Sequence, residues 1–209
     1  MSLTAPPPNA LPPQHLEVSG LGLSRGGRTL FEGLDLRLGH WETLLLSGPN
    51  GAGKSSLLLA LAGVLRPDAG TLRWPGGERP LLHLLGHESA VKPRLTLAEN
   101  LGFWRSVNGP TGMTPGAALE AVGLGGLDRI EAGHLSAGQT RRLGLGRLLV
   151  SRRDIWLLDE PTASLDAGGV TLVAGLLAAH AATGGGAIVA THDELALTTP
   201  ATTLRLGLP

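Results

Sequence analysis

The stretch TLLLSGPNGAGKSSLLLAL, residues 43–61, joins an apolar run, a glycine-rich loop and a second apolar run. The first run, 43–48, is short and ends in glycine, which is typical of a strand buried on both faces. The second run, after Ser55, is typical of a buried helix that RPDAG then ends. A strand, a glycine loop and a helix in this order predict a phosphate-binding turn in a parallel α/β sheet.

The loop fits the pattern G-x-x-x-x-G-K-[ST]. Its glycines let backbone N–H groups turn inward to a phosphate, and the helix behind it adds its positive N-terminal end. We expect Lys54 to reach the β- and γ-phosphates and the Ser55 hydroxyl to bind Mg²⁺. An ordinary glycine-rich turn is the alternative. The predicted nucleotide-binding residues are Gly48, Pro49, Asn50, Gly51, Ala52, Gly53, Lys54, Ser55 and Ser56.

Two more apolar runs end in polar residues, DIWLLDEP at 154–161 and GAIVATHD at 186–193. Open α/β sheets bind ligands at the carboxyl ends of their strands. We therefore expect Asp159 to hold Mg²⁺ through water and Glu160 to orient and polarise the attacking water. His192 is expected to contact the γ-phosphate. Surface carboxylates and a structural histidine are the alternatives. The predicted catalytic residues are Glu160, His192 and Lys54.

The remaining patterns indicate how the chain is organised. Alternation with glycine turns from His15 to about Glu42 predicts antiparallel strands, and LLHLLG at 81–86 predicts another buried strand. Together they predict an α/β fold with a mostly parallel core sheet, an N-terminal antiparallel β subdomain and an inserted helical subdomain. The predicted boundaries are a flexible proline-rich arm at 1–14 and one domain at 15–209, divided into a core at 15–87 and 151–209 and a helical subdomain at 88–150.

Composition excludes several classes of function. The 209 residues carry a formal net charge of +0 and no cysteine, so we expect no nucleic-acid partner, disulfide framework or thiolate nucleophile. The longest uncharged segment, 167–192, is divided by TGGG into a predicted buried helix, a turn and a buried strand, and falls short of the roughly 20 continuous apolar residues that a membrane span needs. The opening residues have neither the basic nor the apolar region of a secretory signal.

A second glycine-containing loop, HLSAGQTRRLG at 134–144, also has the composition of a phosphate site. The motifs above already supply a lysine, a metal ligand and a base. A second loop is therefore surplus within one subunit, but it makes sense if it serves a nucleotide bound by another copy of the chain.

LSAGQ, 135–139, resembles the LSGGQ signature of ABC-type ATPases, with Ala137 at the third position. GPNGAGKSS, LLDEPTASLD and ATHD stand in that family's order and spacing, and the resemblance covers about 15–207. It implies ATP and Mg²⁺ as cofactors and two copies packed head to tail around two ATPs. Ser136, Gly138 and Gln139 of one copy would then contact the other's ATP, and Ser164-Leu165-Asp166 matches the D-loop along that interface.

Within the family, LGHESAVKPRLTLAENLGFW at 85–104 and the segment 135–166 are most similar to the ATPase subunits of the cytochrome c maturation system, which are described as haem exporters. That likeness implies an integral membrane subunit of the CcmB type, with CcmC, CcmD and CcmE in the wider complex. It also implies a peripheral location on the cytoplasmic face of the inner membrane. The alternatives are the ATPase of another compact ABC exporter, a soluble ABC ATPase acting on DNA or ribosomes, and a scaffold with a decayed site.

The chain departs from the family at two positions. The family's linker glutamine, which contacts Mg²⁺ and water, aligns with Glu88, or no residue takes its role. The Glu88 carboxylate could bind Mg²⁺ but cannot donate a hydrogen bond when ionised. The aromatic residue that usually stacks on adenine is missing, and Arg25 lies near its place. An arginine can stack through its guanidinium plane.

Overall fold

The computed structural model describes residues 14–75, 77 and 79–207. The predicted arm lies outside the described residues up to residue 13, and Gln14 begins the first strand. In chain order the elements are β1 (Gln14–Arg25), β2 (Arg28–Gly39), β3 (Thr43–Ser47), α1 (Lys54–Leu61), β4 (Ala69–Arg73), β5 (Leu82–Leu85), α2 (Leu97–Asn108), α3 (Pro115–Ala121), a 3-10 turn (Ala132–His134), α4 (Ala137–Leu149), β6 (Ile155–Asp159), α5 (Ala167–Ala182), β7 (Gly186–Ala190) and β8 (Ala201–Arg205).

The N-terminal strands form a small antiparallel sheet. β1 pairs with β2 through a tight hairpin and with β4 on its other edge, so the strand order is β2-β1-β4. Gly26 and Gly27 both have positive φ in the hairpin turn, a conformation that glycine adopts without steric cost. The sequence did not predict β4, because the glycine of RPDAG indicated only the end of a helix.

The core is a parallel sheet in the order β5-β6-β7-β3-β8. Every residue of β6 is buried because successive side chains enter different cores. Ile155 and Leu157 pack with the antiparallel sheet and α1, whereas Trp156 and Leu158 pack against the helices on the opposite face. Parallel order brings the carboxyl ends of β3, β6 and β7 to one edge of the sheet. The predicted fold class is confirmed.

Residues 88–150 hold α2, α3, the 3-10 turn and α4, which pack on one another. α2 begins with a capping box, in which Thr96 Oγ1 accepts from the Glu99 N–H at 3.2 Å and Glu99 Oε2 accepts from the Thr96 N–H at 2.8 Å.

Two of the predicted helices differ from the structure. α1 ends at Leu61 instead of continuing through the apolar run, since Gly63 turns the chain at a φ of 66°. The uncharged segment 167–192 predicts a buried helix for α5. The structure buries one stripe of it, Val173, Leu177 and Ala181, and that prediction is wrong for its outer face. Among the described residues, no helix combines the length and apolarity needed to cross a membrane.

Candidate nucleotide site

The loop between β3 and α1 curls around the side chain of Lys54. Lys54 Nζ donates to the carbonyl oxygen of Gly48 at 2.7 Å and to that of Pro49 at 3.2 Å, and the Ala52 N–H also donates to Pro49 at 3.2 Å. Gly48 has a φ of 133°, and a Cβ there would collide with the backbone of Leu206. The loop can therefore close around the ammonium group only with glycine at its first position.

The end of β6 carries the two predicted acidic residues in different environments. Asp159 is the last strand residue and is buried. Glu160 turns the chain with a φ of 48°, which non-glycine residues rarely adopt and which stores strain. Its N–H donates to the carbonyl of Ala190 at 2.7 Å, so the end of β7 holds this strained backbone in place.

His192 connects the loop with the strand ends. Its Nε2 lies 3.2 Å from Lys54 Nζ, 3.1 Å from Asn50 Oδ1 and 3.5 Å from Glu160 Oε1. An unprotonated Nε2 can accept from the lysine, whereas an Nε2–H can donate to the amide or the carboxylate. The tautomer of His192 therefore decides which neighbour it binds, and a proton on Nε2 turns it into a donor toward the cleft.

These side chains line one cleft of about 540 Å³. Arg25 also lies on its wall, at the end of the β1–β2 hairpin. Glu88 does not line the cleft and is exposed, while its neighbour His87 does line it. The structure therefore does not place Glu88 with Ser55 and Asp159, the other predicted metal ligands. The lining residues are Arg25, Leu30, Asn50, Gly51, Gly53, Lys54, Ser55, Ser56, His87, Asp159, Glu160 and His192.

Sequence reasoning missed two residues of this wall, Leu30 and His87. His87 follows β5 at the same edge of the sheet, so the strand-end argument that indicated His192 could have found it. Leu30 is different: it comes from the neighbouring antiparallel sheet, and nothing in an alternating strand pattern shows that one of its leucines faces a ligand cleft.

The LSAGQ segment forms a separate cleft of about 630 Å³, whose lining includes Ser136, Gly138, Gln139 and Asp166. Ser136 caps α4: its Oγ accepts from the Gln139 N–H at 3.2 Å, and Gln139 Oε1 accepts from the Ser136 N–H at 2.9 Å. A Cβ on Gly138 would lie 2.8 Å from the carbonyl oxygen of Ser164, so close approach to the 164–166 loop requires glycine there.

Asp166 closes the other side of this second cleft. It caps α5 by accepting from the Gly169 N–H at 2.8 Å, and it lies 3.2 Å from Arg142 of α4. The bond from Gly169 lowers the pKa of Asp166, and the charge of Arg142 acts in the same direction. Ser136, Gly138, Gln139 and Asp166 do not line the first cleft, so the structure holds the two predicted phosphate sites apart within one chain.

Comparison with known proteins identifies the family. The family model described as ABC transporter matches residues 31–163, more than half of the chain. The chain belongs to the ABC transporter family. The resemblance predicted from LSAGQ and its companion motifs is thereby confirmed.

Curated relatives match almost from end to end. The chain is 48% identical to the cytochrome c biogenesis ATP-binding export protein CcmA of Rhodopseudomonas palustris, over 88% of this chain and 96% of that protein. It is 42% identical to the protein of the same name from Brucella melitensis, over 92% of each.

The fold recurs in a solved ABC transporter ATP-binding protein from Pyrococcus furiosus. The TM-score is 0.79 at 24% identity, and the match covers 90% of this chain and 96% of that one. At this identity the likeness shows the fold alone.

Proposed function

We propose that the chain is the ATP-hydrolysing subunit of an ABC transporter. The observation that carries this proposal is the single cleft in which Lys54 and His192 lie within hydrogen-bonding distance of each other, with Asp159 and Glu160 on the same wall. Lys54 would neutralise the β- and γ-phosphates. The backbone N–H groups of the glycine loop would bind the phosphate oxygens.

Ser55 and Asp159 fit a magnesium site. Both offer hard oxygen donors to the same cleft, and no group of three or more His, Asp or Glu in the described part of the chain could form an all-protein metal cage. Mg²⁺ prefers one or two protein oxygens together with water and substrate phosphates. The bound ion would neutralise charge on the triphosphate.

Glu160 would act as the general base. Its carboxylate would accept the proton of a water whose oxygen attacks the γ-phosphorus, while the bond to the β–γ bridging oxygen breaks and ADP leaves. The Nε2–H of His192 would donate a hydrogen bond to a γ-phosphate oxygen. The 3.5 Å between His192 Nε2 and Glu160 Oε1 supports the assignment of neighbouring roles to the two groups.

The second cleft would serve ATP held by another copy of the chain. Ser136, Gly138 and Gln139 would contact that copy's γ-phosphate, and Asp166 would line the interface. This arrangement requires two copies packed head to tail. At the other end of the nucleotide, the Arg25 guanidinium would stack on adenine. His87 replaces Glu88 as the linker residue that we assign to the cleft wall.

The curated relatives suggest the transport system. Because they are named for cytochrome c biogenesis and export, we assign the chain to haem export, or to release of a haem-loaded chaperone, in cytochrome c maturation. Its membrane partner would be a CcmB-type subunit, with CcmC, CcmD and CcmE in the wider complex. The chain would lie on the cytoplasmic face of the inner membrane.

A replacement experiment in the native host tests this assignment. The chromosomal copy is exchanged for wild type or Glu160→Gln, and covalently bound haem in c-type cytochromes is stained after electrophoresis. We expect staining with wild type and its loss with Glu160→Gln. Purification of the tagged chain from solubilised membranes should also recover a CcmB-type protein. Normal staining in the variant, or recovery of a different exporter's membrane subunit, would contradict the assignment.

A further inference from the structure

Arg141 of α4 is a buried arginine that the motifs leave without a role. Only 3% of it is exposed. Its guanidinium donates to the end of β6 and the turn that follows: Nη2 bonds the carbonyl oxygens of Asp159 at 2.5 Å and Glu160 at 2.7 Å, and Nε bonds that of Pro161 at 3.3 Å. The side chain therefore holds the backbone that carries both acidic site residues.

The other nitrogen of the same fork holds the linker after β5. Arg141 Nη1 donates to the carbonyl oxygen of Gly86 at 2.9 Å and lies 3.4 Å from that of His87. A planar guanidinium can bond two separate segments at once, whereas a lysine ammonium is a single point charge. Arg141 thus ties the His87 wall of the cleft to the Glu160 wall.

Both the charge of Arg141 and the backbone of Glu160 are constrained where α4 meets the end of β6. Burial lowers the pKa of Arg141, and the charges of Asp159 and Glu160 oppose that effect. Glu160, at its φ of 48°, is held on both sides: Arg141 binds its carbonyl, and Ala190 accepts from its N–H. Loss of the Arg141 bonds would free a backbone conformation that is unfavourable by itself.

Arg141 lies on α4, the helix that also reaches the second cleft. The N-cap of this helix, Ser136, lies in the second cleft, so one helix joins the two clefts of the chain. We propose that Arg141 is a positioning residue that couples the two ATP sites of a dimer. Contact of Ser136 with the partner's ATP would fix the position of α4. Arg141 would transmit that position to Glu160, beside the chain's own ATP. This inference rests on the proposed function.

Arg141→Lys tests the coupling in the full-length chain assembled with its membrane partner. Because the phosphate loop is untouched, the KM for ATP should stay within about twofold. kcat should fall on the order of 10- to 100-fold, as misplacement of a reacting group commonly costs. The Hill coefficient for ATP should fall from above 1 to about 1, since the sites no longer communicate.

Arg147→Lys is the matched control. Arg147 is also buried on α4, stacks over Trp104 at 3.8 Å and donates to the Ser89 carbonyl at 2.7 Å, but these contacts do not reach the end of β6. It should keep the wild-type Hill coefficient. Equal losses in both variants, a Hill coefficient of 1 in the wild type, or unchanged kcat in Arg141→Lys would overturn the inference.

A measurement without an Arg141 variant covers the case in which Arg141→Lys does not fold. Amide hydrogen exchange is followed on ATP addition in wild type and in Ser136→Arg, whose own phosphate loop is intact. Both should gain protection at 48–56, and only wild type should gain it at 159–163. Equal protection at 159–163 in wild type and Ser136→Arg would contradict the coupling but not the proposed hydrolysis of ATP by Glu160. ATP hydrolysis at the wild-type rate in Glu160→Gln would instead contradict the proposed function.

Discussion

Glu160 has an unfavourable backbone conformation and is fixed by bonds at both its N–H and its carbonyl. Such strain is retained where the surroundings determine the conformation, and here it directs a carboxylate into the cleft. Glu160→Gln keeps the size of the side chain but cannot accept a proton from water. We expect ATP binding to persist, hydrolysis to fall by roughly 10²–10⁴-fold, and an ATP-bound dimer to accumulate.

Phosphate release and size-exclusion chromatography with ATP measure the two effects. Glu194→Gln is the control, because Glu194 is an exposed carboxylate in the loop after β7 and lies outside the cleft lining. It should hydrolyse ATP at the wild-type rate. Wild-type turnover in Glu160→Gln would remove this residue from the role of base.

Lys54→Ala separates binding from chemistry at the same site. In the proposed site the ammonium would neutralise phosphate charge in both the ground state and the transition state, so its loss should weaken ATP binding itself. Isothermal calorimetry should show a clear loss of affinity. Lys92→Ala removes the chain's other lysine, which lies 4.4 Å from the Phe103 ring in the helical segment, and should bind ATP normally. Equal affinity in wild type and Lys54→Ala would contradict the assigned loop.

Sequence reasoning located the residues that follow a buried strand, since parallel strands deliver their ends to one edge. Asp159, Glu160 and His192 were singled out on that ground, and all three line the cleft. Arg141 could not be found this way. Its partners are backbone carbonyls from distant segments, and a helical arginine among polar neighbours gives no sign that it is buried.

Among the elements, β5 carries a buried histidine whose protonation opposes folding. His83 Nε2 lies 2.9 Å from the Ser151 carbonyl, and burial lowers its pKa to about 4 from an ordinary 6.5. The unfolded chain therefore takes up this proton at a higher pH than the folded chain. The contribution of unprotonated His83 to the free energy of unfolding is therefore complete above pH 6.5 and is lost as the pH falls toward 4.

His83→Gln should remove this pH dependence, because an amide can still donate to the carbonyl but does not titrate. In wild type the free energy of unfolding should fall by about 2 kcal/mol from this residue between pH 7.5 and pH 5. Urea denaturation at the two pH values measures the difference. His134 is exposed, so His134→Gln should keep the wild-type pH dependence of the free energy of unfolding. If His83→Gln loses as much stability between the two pH values as wild type does, other groups cause the pH dependence.

The elements that sequence reasoning missed are the exposed strands. β4 and β8 have the same burial pattern, with only Leu72 and Leu204 partly covered, so neither has the apolar run of a central strand. β8 pairs with β3 through its backbone, a contact that leaves no trace in side-chain composition. The strands buried on both faces were predicted because burial on both faces demands unbroken apolar runs.

At the scale of the whole molecule, one chain carries two separate clefts, each of which we propose to be half of an ATP site. Lys54, Ser55, Asp159 and Glu160 share one cleft, and the LSAGQ segment lies in another. Head-to-tail pairing would build each ATP site from one cleft of the first chain and the other cleft of the second chain. This arrangement makes a prediction about mixtures, because lesions in the two half-sites can be separated between chains.

Mixing a Ser136→Arg chain with a Lys54→Ala chain tests the pairing. Each variant alone should be inactive, since both composite sites of its homodimer carry a lesion. In the mixed dimer one site combines the intact Lys54 of one chain with the intact Ser136 of the other, and the remaining site carries both lesions. Phosphate release should therefore return on mixing and grow with the mixed fraction. Its rate should stay below that of wild type, because the Glu160 of the intact site belongs to the Ser136→Arg chain and lacks the coupling proposed above. If Ser136 served its own chain's nucleotide, every site would keep one lesion and no activity would return. The structure of the ATP-bound Glu160→Gln dimer supplies an independent check, and a Ser136 hydroxyl distant from both γ-phosphates would contradict the pairing.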